Sequence, residues 1–162
     1  MVKIRRGMAR DIPHIMSLER QSATAGHWTE EQYRQLFQSS PARLLLVAEA
    51  PSARPSDSQP GADPGPGLLG FLVAHHLAPE WEIENIVVAP AARRKGLGKR
   101  LLDILLAAAR EKSSHSVFLE VRESNAGART LYEKALFEQT GRRPSYYTSP
   151  VEDAILYRRT LD

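Results

Sequence analysis

The sequence predicts a mixed α/β fold of the α+β kind, with one central sheet covered by helices. Three observations support it: apolar residues alternate in some segments, they repeat at helical spacing in others, and the second half contains a strand, a helix and a strand in succession. The order β-α-α-β-β-β-α-β-α-β-β gives a mixed, mostly antiparallel sheet of about seven strands flanked by about four helices. We expect these elements to form a single domain over residues 1–162.

The composition excludes several classes of protein. The chain has 162 residues, a formal net charge of +3 and no cysteine, so disulfides, thiolate metal sites and a thiol nucleophile are excluded. No segment approaches the roughly 18 apolar residues of a membrane span, and the basic residues concentrate around two glycines. We therefore expect a cytoplasmic protein with neither a membrane nor a nucleic-acid partner. The oligomeric state stays open, with a monomer favoured.

The N-terminal segment predicts one strand and one helix. Residues 2–6 alternate apolar and basic side chains, a pattern typical of a strand with one face on the core. Asp11 then begins a helix, because Ile15 and Leu18 follow at helical spacing and leave Glu19 towards water.

A second helix is predicted after Thr29. Thr29 and Gln32 have the spacing of a capping box, in which each side chain satisfies a backbone N–H of the other residue. Tyr33, Leu36 and Phe37 are expected to form the buried side of this helix.

Three antiparallel strands are predicted in the middle of the chain. Residues 43–49 contain a continuous apolar run, typical of a strand buried on both faces, and residues 68–77 and 81–88 follow as two more strands. Residues 50–67 are rich in proline and glycine and are interpreted as a disordered hairpin loop. Such a composition cannot offset its ordering entropy by burial.

The second half of the chain predicts a parallel pair and the end of the sheet. A leucine-rich helix over 101–109 joins the preceding strand to one over 117–121, so these two strands are parallel. A helix over 125–135 and two strands over 137–140 and 154–160 complete the fold.

The most informative motif lies just before the leucine-rich helix and predicts a phosphate cradle. Gly96 and Gly98 let the backbone approach a ligand, and the helix start offers unpaired N–H groups and a positive dipole end to an anion. The motif lacks the ending of a nucleoside-triphosphate loop and the third glycine of a dinucleotide fingerprint, which favours the pyrophosphate of another cofactor. The glycines are surrounded by five cations, Arg93, Arg94, Lys95, Lys99 and Arg100.

Two residues are candidates for acid–base chemistry at the carboxyl edge of the sheet, where ligands collect in α/β proteins. Glu120 lies near the end of the strand after the leucine-rich helix, and Tyr132 lies one helix further on. Glu120 could instead be a solvated carboxylate or a partner of Arg122, and Tyr132 could be a core aromatic residue.

Glu82 and Glu84 form a second acidic pair. Their spacing of two places both side chains on the same face of a strand. Neighbouring carboxylates raise each other's pKa, which suits a base near neutrality or a docking site for a substrate cation. A polar strand face is the plain alternative. His75 and His76 have no third ligand at metal spacing, so we predict no metal site.

Asn125 and three aromatic residues complete the candidates. Asn125 has the position of an N-cap and could also contact a ligand. Trp28, Tyr146 and Tyr147 are expected on two loops, where exposed aromatic groups mark a binding surface unless they only pack locally.

Residues 93–98, Arg-Arg-Lys-Gly-Leu-Gly, match the Gln/Arg-x-x-Gly-x-Gly/Ala signature of the GNAT family of acetyl-coenzyme A-dependent N-acetyltransferases, which the sequence resembles. The likeness covers nearly the whole chain except residues 50–67. Leu136 departs from it, because the family usually has glycine there. The remaining blocks resemble the branch that acetylates the N-terminal alanine of a ribosomal protein: 27–30, 85–90, 119–125, 131–133 and 145–147.

The resemblance implies the GNAT fold, acetyl-coenzyme A as co-substrate and a protein N-terminus as acceptor, the alanine of a small-subunit ribosomal protein. Glu120 would be the general base for the α-amine, acting through water, and Tyr132 the general acid for the leaving thiolate. The residues implied in cofactor binding are Ile86, Val87, Val88, Arg93, Arg94, Lys95, Gly96, Leu97, Gly98, Lys99, Asn125 and Tyr132. The candidates for substrate binding are Trp28, Glu82, Glu84, Tyr146 and Tyr147.

Two other functions stay open. The same fold and cofactor could serve a lysine side chain, a polyamine or another small amine as acceptor. An alternative of a different class is a module that binds coenzyme A and senses it without turnover.

Overall fold

The computed structural model describes residues 1–22, 27–38, 42–51 and 67–162. Residues 52–66, the main part of the predicted loop, lie outside this description. The strands are β1 (Lys3–Arg6), β2 (Arg43–Glu49), β3 (Leu68–Leu77), β4 (Glu80–Val88), β5 (Ser116–Arg122), β6 (Glu138–Thr148) and β7 (Val151–Thr160). The α-helices are α1 (Ile12–Arg20), α2 (Glu30–Gln38), α3 (Leu97–Glu111) and α4 (Ala126–Lys134).

The strands form a seven-stranded sheet in the order β1-β2-β3-β4-β5-β7-β6. Neighbouring strands are antiparallel except for β4 and β5, which are parallel and joined through α3. The element order, the mixed sheet and its mostly antiparallel pairing confirm the fold class predicted from the sequence.

Each face of the sheet buries its own apolar cluster. On one face, the leucines of α3, such as Leu101 and Leu105, pack against β3, β4 and β5 and against Tyr132 of α4. On the other face, Ile15 of α1 and Tyr33 of α2 pack against Phe71 of β3. Each fully buried leucine contributes roughly 1.5–3 kcal/mol. Both faces of β2 are covered, as its continuous apolar run predicts.

The capping box before α2 is confirmed. The Thr29 backbone N–H donates to Gln32 Oε1 at 2.8 Å, and the Gln32 backbone N–H donates to Thr29 Oγ1 at 3.2 Å. Phe37 was expected on the buried side but is 41% exposed. It lies one position beyond Leu36, a rotation of about 100° that carries its ring away from the sheet.

Three further expectations are wrong. Glu19, expected to face water, is only 2% exposed. The last two strands are longer than predicted, because β6 continues to Thr148 and β7 begins at Val151. Tyr146 and Tyr147 therefore lie on a strand, and not on a loop.

No helix in the described ranges is long and apolar enough to cross a membrane.

Candidate active site

The strands β4 and β5 part from one another halfway along their length. Their pairing runs from Glu80 opposite Ser116 to Ile83 opposite Leu119 and stops there, although β4 continues to Val88. The remainder of β4 includes Ile86, Val87 and Val88, which the sequence analysis assigned to the cofactor. A wedge-shaped opening between the two strands results.

A β-bulge in β4 lies where the strands part. Val73 of β3 pairs with Asn85 and Ala74 pairs with Ile83, which leaves Glu84 without a partner on β3. An extra residue bends its strand and increases the local twist. The bulge therefore directs the end of β4 away from β5.

The predicted phosphate cradle stands at the end of this opening. A short 3-10 turn follows β4, Gly96 has a φ of 77°, and α3 begins at Leu97. The first turn of a helix leaves N–H groups without intrahelical acceptors, and here it contains no acidic residue. Arg94 and Lys95 are exposed beside it. This donor set fits a pyrophosphate.

Gly98 has a second role in the cradle. A Cβ atom built on Gly98 would lie 2.9 Å from Leu131 Cδ2 of α4. The absence of a side chain therefore lets the start of α3 approach α4 closely.

Glu120 of β5 is half-buried beside the opening. Its Oε1 lies 3.0 Å from Arg143 Nε of β6, and the Tyr146 hydroxyl donates a hydrogen bond to the same carboxylate. The charge on Glu120, and to a smaller extent burial, raises the pKa of Tyr146. Arg122, the alternative partner for Glu120, instead pairs with Glu152 at 3.3 Å.

Tyr132 is buried in α4. Its ring centroid lies 5.8 Å from that of Phe137 and 6.1 Å from that of Tyr157. Burial raises the pKa of the Tyr132 hydroxyl, and Tyr147 adds to this shift. The hydroxyl consequently keeps its proton at neutral pH.

Glu82 and Glu84 lie on one face, as predicted, although they differ in their partners. Arg43 Nη2 donates to Glu84 Oε1 at 3.0 Å and its Nε lies 2.9 Å from Oε2. Burial raises the pKa of Glu82, and the charges on Glu84 and Glu120 raise it further. Glu84 is therefore paired with a guanidinium, whereas the charges that act most strongly on Glu82 are those of other carboxylates.

His75 completes a possible ligand cluster that sequence spacing did not reveal. Ligand atoms of His75, Glu82 and Glu84 lie within 4.8 Å of one another. Burial and the positive charge of Arg43 lower the pKa of His75. Because Arg43 already neutralises Glu84, we assign no metal to this cluster.

The aromatic candidates flank the carboxylates. The ring centroids of Tyr146 and Tyr147 are 5.1 Å apart, and the planes of the two rings meet at 87°. The guanidinium carbon of Arg122 lies 4.2 Å from the Tyr147 ring centroid. A bulge between Arg143 and Tyr147, in which Ser145 has a φ of 51°, interrupts pairing with β7.

The sequence and the fold are similar to those of known acetyltransferases. Residues 13–136 match the model of the Acetyltransferase (GNAT) family. The chain belongs to the GNAT family.

Its acetyltransferase relatives use acetyl-coenzyme A as co-substrate. The crystal structure of the ribosomal-protein-S18-alanine N-acetyltransferase from Escherichia coli is similar, with a TM-score of 0.79 and 27% identity, and the match covers 100% of this chain and 95% of that one. The chain is also 37% identical over 111 residues to the N-alpha-acetyltransferase RimI of Mycobacterium tuberculosis, covering 66% of this chain and 68% of that protein. An uncharacterized Mycobacterium leprae protein is 42% identical over 99 residues, which are 60% of this chain and 27% of that protein.

In this GNAT protein, Asn125 is the N-cap of α4, as predicted. Its Oδ1 accepts a hydrogen bond from the Ala128 backbone N–H at 3.2 Å. Its predicted contact with the cofactor stays a prediction.

The sequence of this GNAT protein did not reveal the two arginines that pair with the candidate carboxylates Glu84 and Glu120. These are Arg43 and Arg143. Both are distant in sequence from Glu84 and Glu120, and no local pattern links them. Arg43 lies within a predicted strand, whereas Arg143 lies beyond the predicted end of its strand at residue 140, so no sequence signal identified either ion pair.

Proposed function

We propose that this chain transfers an acetyl group from acetyl-coenzyme A to the α-amine of a protein N-terminus, specifically the N-terminal alanine of a small-subunit ribosomal protein. The parting of β4 and β5 carries this proposal, because it opens a path between a phosphate-binding helix start and the Glu120 carboxylate. The acceptor is proposed from the similar Escherichia coli protein, whose name specifies the alanine of ribosomal protein S18.

At the cofactor end, the backbone from Arg94 to Lys99 would hold the pyrophosphate. The positive end of α3 and the exposed cations favour an anion there. Bound acetyl-coenzyme A supplies the activated acetyl thioester. The Val88 N–H would donate to the thioester oxygen, on which negative charge develops during attack.

At the acceptor end, Glu82 and Glu120 would attract the α-ammonium group. An α-amine has a pKa near 8, so mild assistance by a base is sufficient. Glu120 would accept the proton through a water molecule, and the amine nitrogen would then bond to the acetyl carbon as the carbon–sulfur bond breaks. Tyr132, whose raised pKa keeps the hydroxyl protonated at neutral pH, would donate its proton to the leaving thiolate.

The decisive experiment compares three acceptors with acetyl-coenzyme A: an Ala-starting ribosomal peptide, a lysine peptide with a blocked N-terminus, and spermidine. Mass spectrometry of the products should place one acetyl group on the α-amine. Transfer to lysine or spermidine alone would replace the proposed acceptor. Cofactor binding without transfer to any amine would favour the sensor function.

The two catalytic assignments have their own variants. Glu120→Gln and Tyr132→Phe should each lower kcat about a hundredfold, the lower range for general acid–base catalysis. Tyr157→Phe, which removes a neighbouring hydroxyl in the same cluster, should retain activity. Full activity in Glu120→Gln and Tyr132→Phe would remove both roles and leave Glu82 as the candidate base.

A further inference from the structure

A buried carboxylate joins four parts of the chain on the α1–α2 face of the sheet. Glu19 lies in the last turn of α1, and its Oε1 accepts hydrogen bonds from the Tyr33 hydroxyl of α2 and from Asn85 Nδ2 of β4, the latter at 2.9 Å. The backbone N–H of Trp28 also donates to this oxygen, at 3.4 Å. One carboxylate thus connects α1, α2, β4 and the segment before α2.

Stability alone does not account for this arrangement. Burial of a carboxylate carries a large desolvation cost that an apolar side chain would avoid. Glu19 forms no ion pair within 4.0 Å among the described residues, although His27 interacts with it electrostatically, and burial raises the pKa of this carboxyl group. Its neighbours are instead three donors from separate elements, which suits a residue that fixes geometry.

A second route connects the same segment to β4. The Trp28 ring lies 5.3 Å from the Tyr33 ring, and the Arg43 guanidinium carbon lies 5.9 Å from the Trp28 ring centroid. Arg43 in turn holds Glu84. Trp28 is therefore tied through Glu19 to Asn85 and through Arg43 to Glu84, which are the adjacent residues of the bulge.

We propose that Glu19 is a positioning residue that couples Trp28 to the bulge in β4. We call the segment at Trp28, which is predicted to contact the acceptor, the acceptor wall. This inference rests on the proposed function, in which the bulge opens the cofactor path, and on the sequence-based prediction that Trp28 contacts the acceptor. Glu19 touches neither reactant. It keeps the indole at a fixed distance from the strand that carries Glu82.

The test uses Glu19→Ala and Glu19→Gln in the full chain, with Asp11→Asn as a matched control. Asp11 is the other buried carboxylate adjoining α1, but it binds Arg5 at the opposite end of that helix. The readouts are the KM for an Ala-starting peptide, the Kd for acetyl-coenzyme A, and acrylamide quenching of tryptophan fluorescence. Since Trp81 is 3% exposed, quenching reports mainly on the half-buried Trp28.

Glu19→Ala should raise the acceptor KM about tenfold, equivalent to losing one hydrogen bond to a charged group. It should also increase quenching and leave the acetyl-coenzyme A Kd unchanged. Glu19→Gln, whose amide oxygen can still accept from Trp28 and Asn85, should restore most of the wild-type values. Asp11→Asn should lower the Tm without changing the acceptor KM or the quenching.

Tyr33→Phe keeps the ring beside Trp28 and removes the hydroxyl, which donates to Glu19 and accepts a long hydrogen bond from Asn85 Nδ2 at 3.5 Å. It serves as the second variant if Glu19→Ala does not fold. It should change the acceptor KM and quenching in the same direction, by a smaller factor. The proposal is overturned if Tyr33→Phe, and any Glu19→Ala protein that folds, show the quenching and the acceptor KM of the wild type. It is also overturned if Asp11→Asn raises the acceptor KM as much as Glu19→Ala does. Failure of the proposed function is distinguishable, because the wild type would then acetylate no N-terminal peptide while quenching still tests the coupling.

Discussion

Gly96→Ala tests whether the backbone conformation before α3 builds the cofactor site. Gly96 has a φ of 77°, and no atom lies within 4 Å of a Cβ added there. The methyl group therefore meets no steric obstacle, and the cost is that of placing an L-residue in the left-handed region, about 1–2 kcal/mol.

The backbone at residue 96 can respond to the substitution in two ways, and both responses are measurable. If the substituted residue keeps the left-handed conformation, the free energy of unfolding falls by about 1–2 kcal/mol, roughly 2–8 °C in Tm for a chain of this size. If the backbone relaxes instead, the N–H groups at the start of α3 change direction. The affinity for acetyl-coenzyme A should then fall, about tenfold for each 1.4 kcal/mol of lost interaction.

Urea unfolding and calorimetric titration with acetyl-coenzyme A measure these two effects. The matched control is Gly127→Ala in the first turn of α4, where an added Cβ also meets no atom within 4 Å and φ is not positive. The same chemical change should stabilise the protein there by up to about 1 kcal/mol. If Gly96→Ala is as stable as Gly127→Ala and binds acetyl-coenzyme A with wild-type affinity, the left-handed conformation at Gly96 does not build the cofactor site.

Three further predictions concern stability. Leu136 has a φ of 67° and a side chain that is 69% exposed, so Leu136→Gly should raise the free energy of unfolding by about 0.5–1 kcal/mol in urea. Burial raises the pKa of Asp11, but hydrogen bonds from Arg5 and the Met8 N–H outweigh it and hold that pKa below its ordinary value. Asp11→Asn should therefore cost about 3 kcal/mol at neutral pH, and the difference from wild type should shrink as the pH falls below about 4. The raised pKa of Glu82 means that the folded state favours the protonated carboxyl group, so this stabilisation is lost as the pH rises and the group ionises. Glu82→Gln, which stays uncharged, should therefore have a higher Tm than the wild type above about pH 5 and the same Tm below about pH 4.

The element order, the antiparallel middle strands and the parallel β4–β5 pair were predictable, because each follows from local patterns along the chain. Alternation, helical spacing and the capping box at Thr29 each involve residues a few positions apart. The backbone geometry before α3 was predictable for the same reason, since glycines and cations adjoin a helix start within six residues, 93–98, while its binding of phosphate stays a prediction.

The errors arise where tertiary contacts override a local rule. Pro144 favours ending a strand, yet β6 passes through it. The strand lies at the edge of the sheet, where a missing N–H removes no bond from a second neighbour. Glu19 has the polarity of a surface residue and is buried because Tyr33 and Asn85, which are 14 and 66 residues away, supply its donors.

The bulge at Glu84 accounts for features of the candidate site that its sequence motifs do not predict. A regular β4 would send Glu84 and Asn85 to opposite faces and leave nothing to end its pairing with β5. One unpaired residue instead puts Glu84 against Arg43 and Asn85 against Glu19 on the same face, and the pairing with β5 stops at Ile83. The geometry that opens the proposed cofactor path therefore also anchors the proposed acceptor wall. A change on the α1–α2 face should consequently affect acceptor binding even where it leaves the phosphate cradle intact.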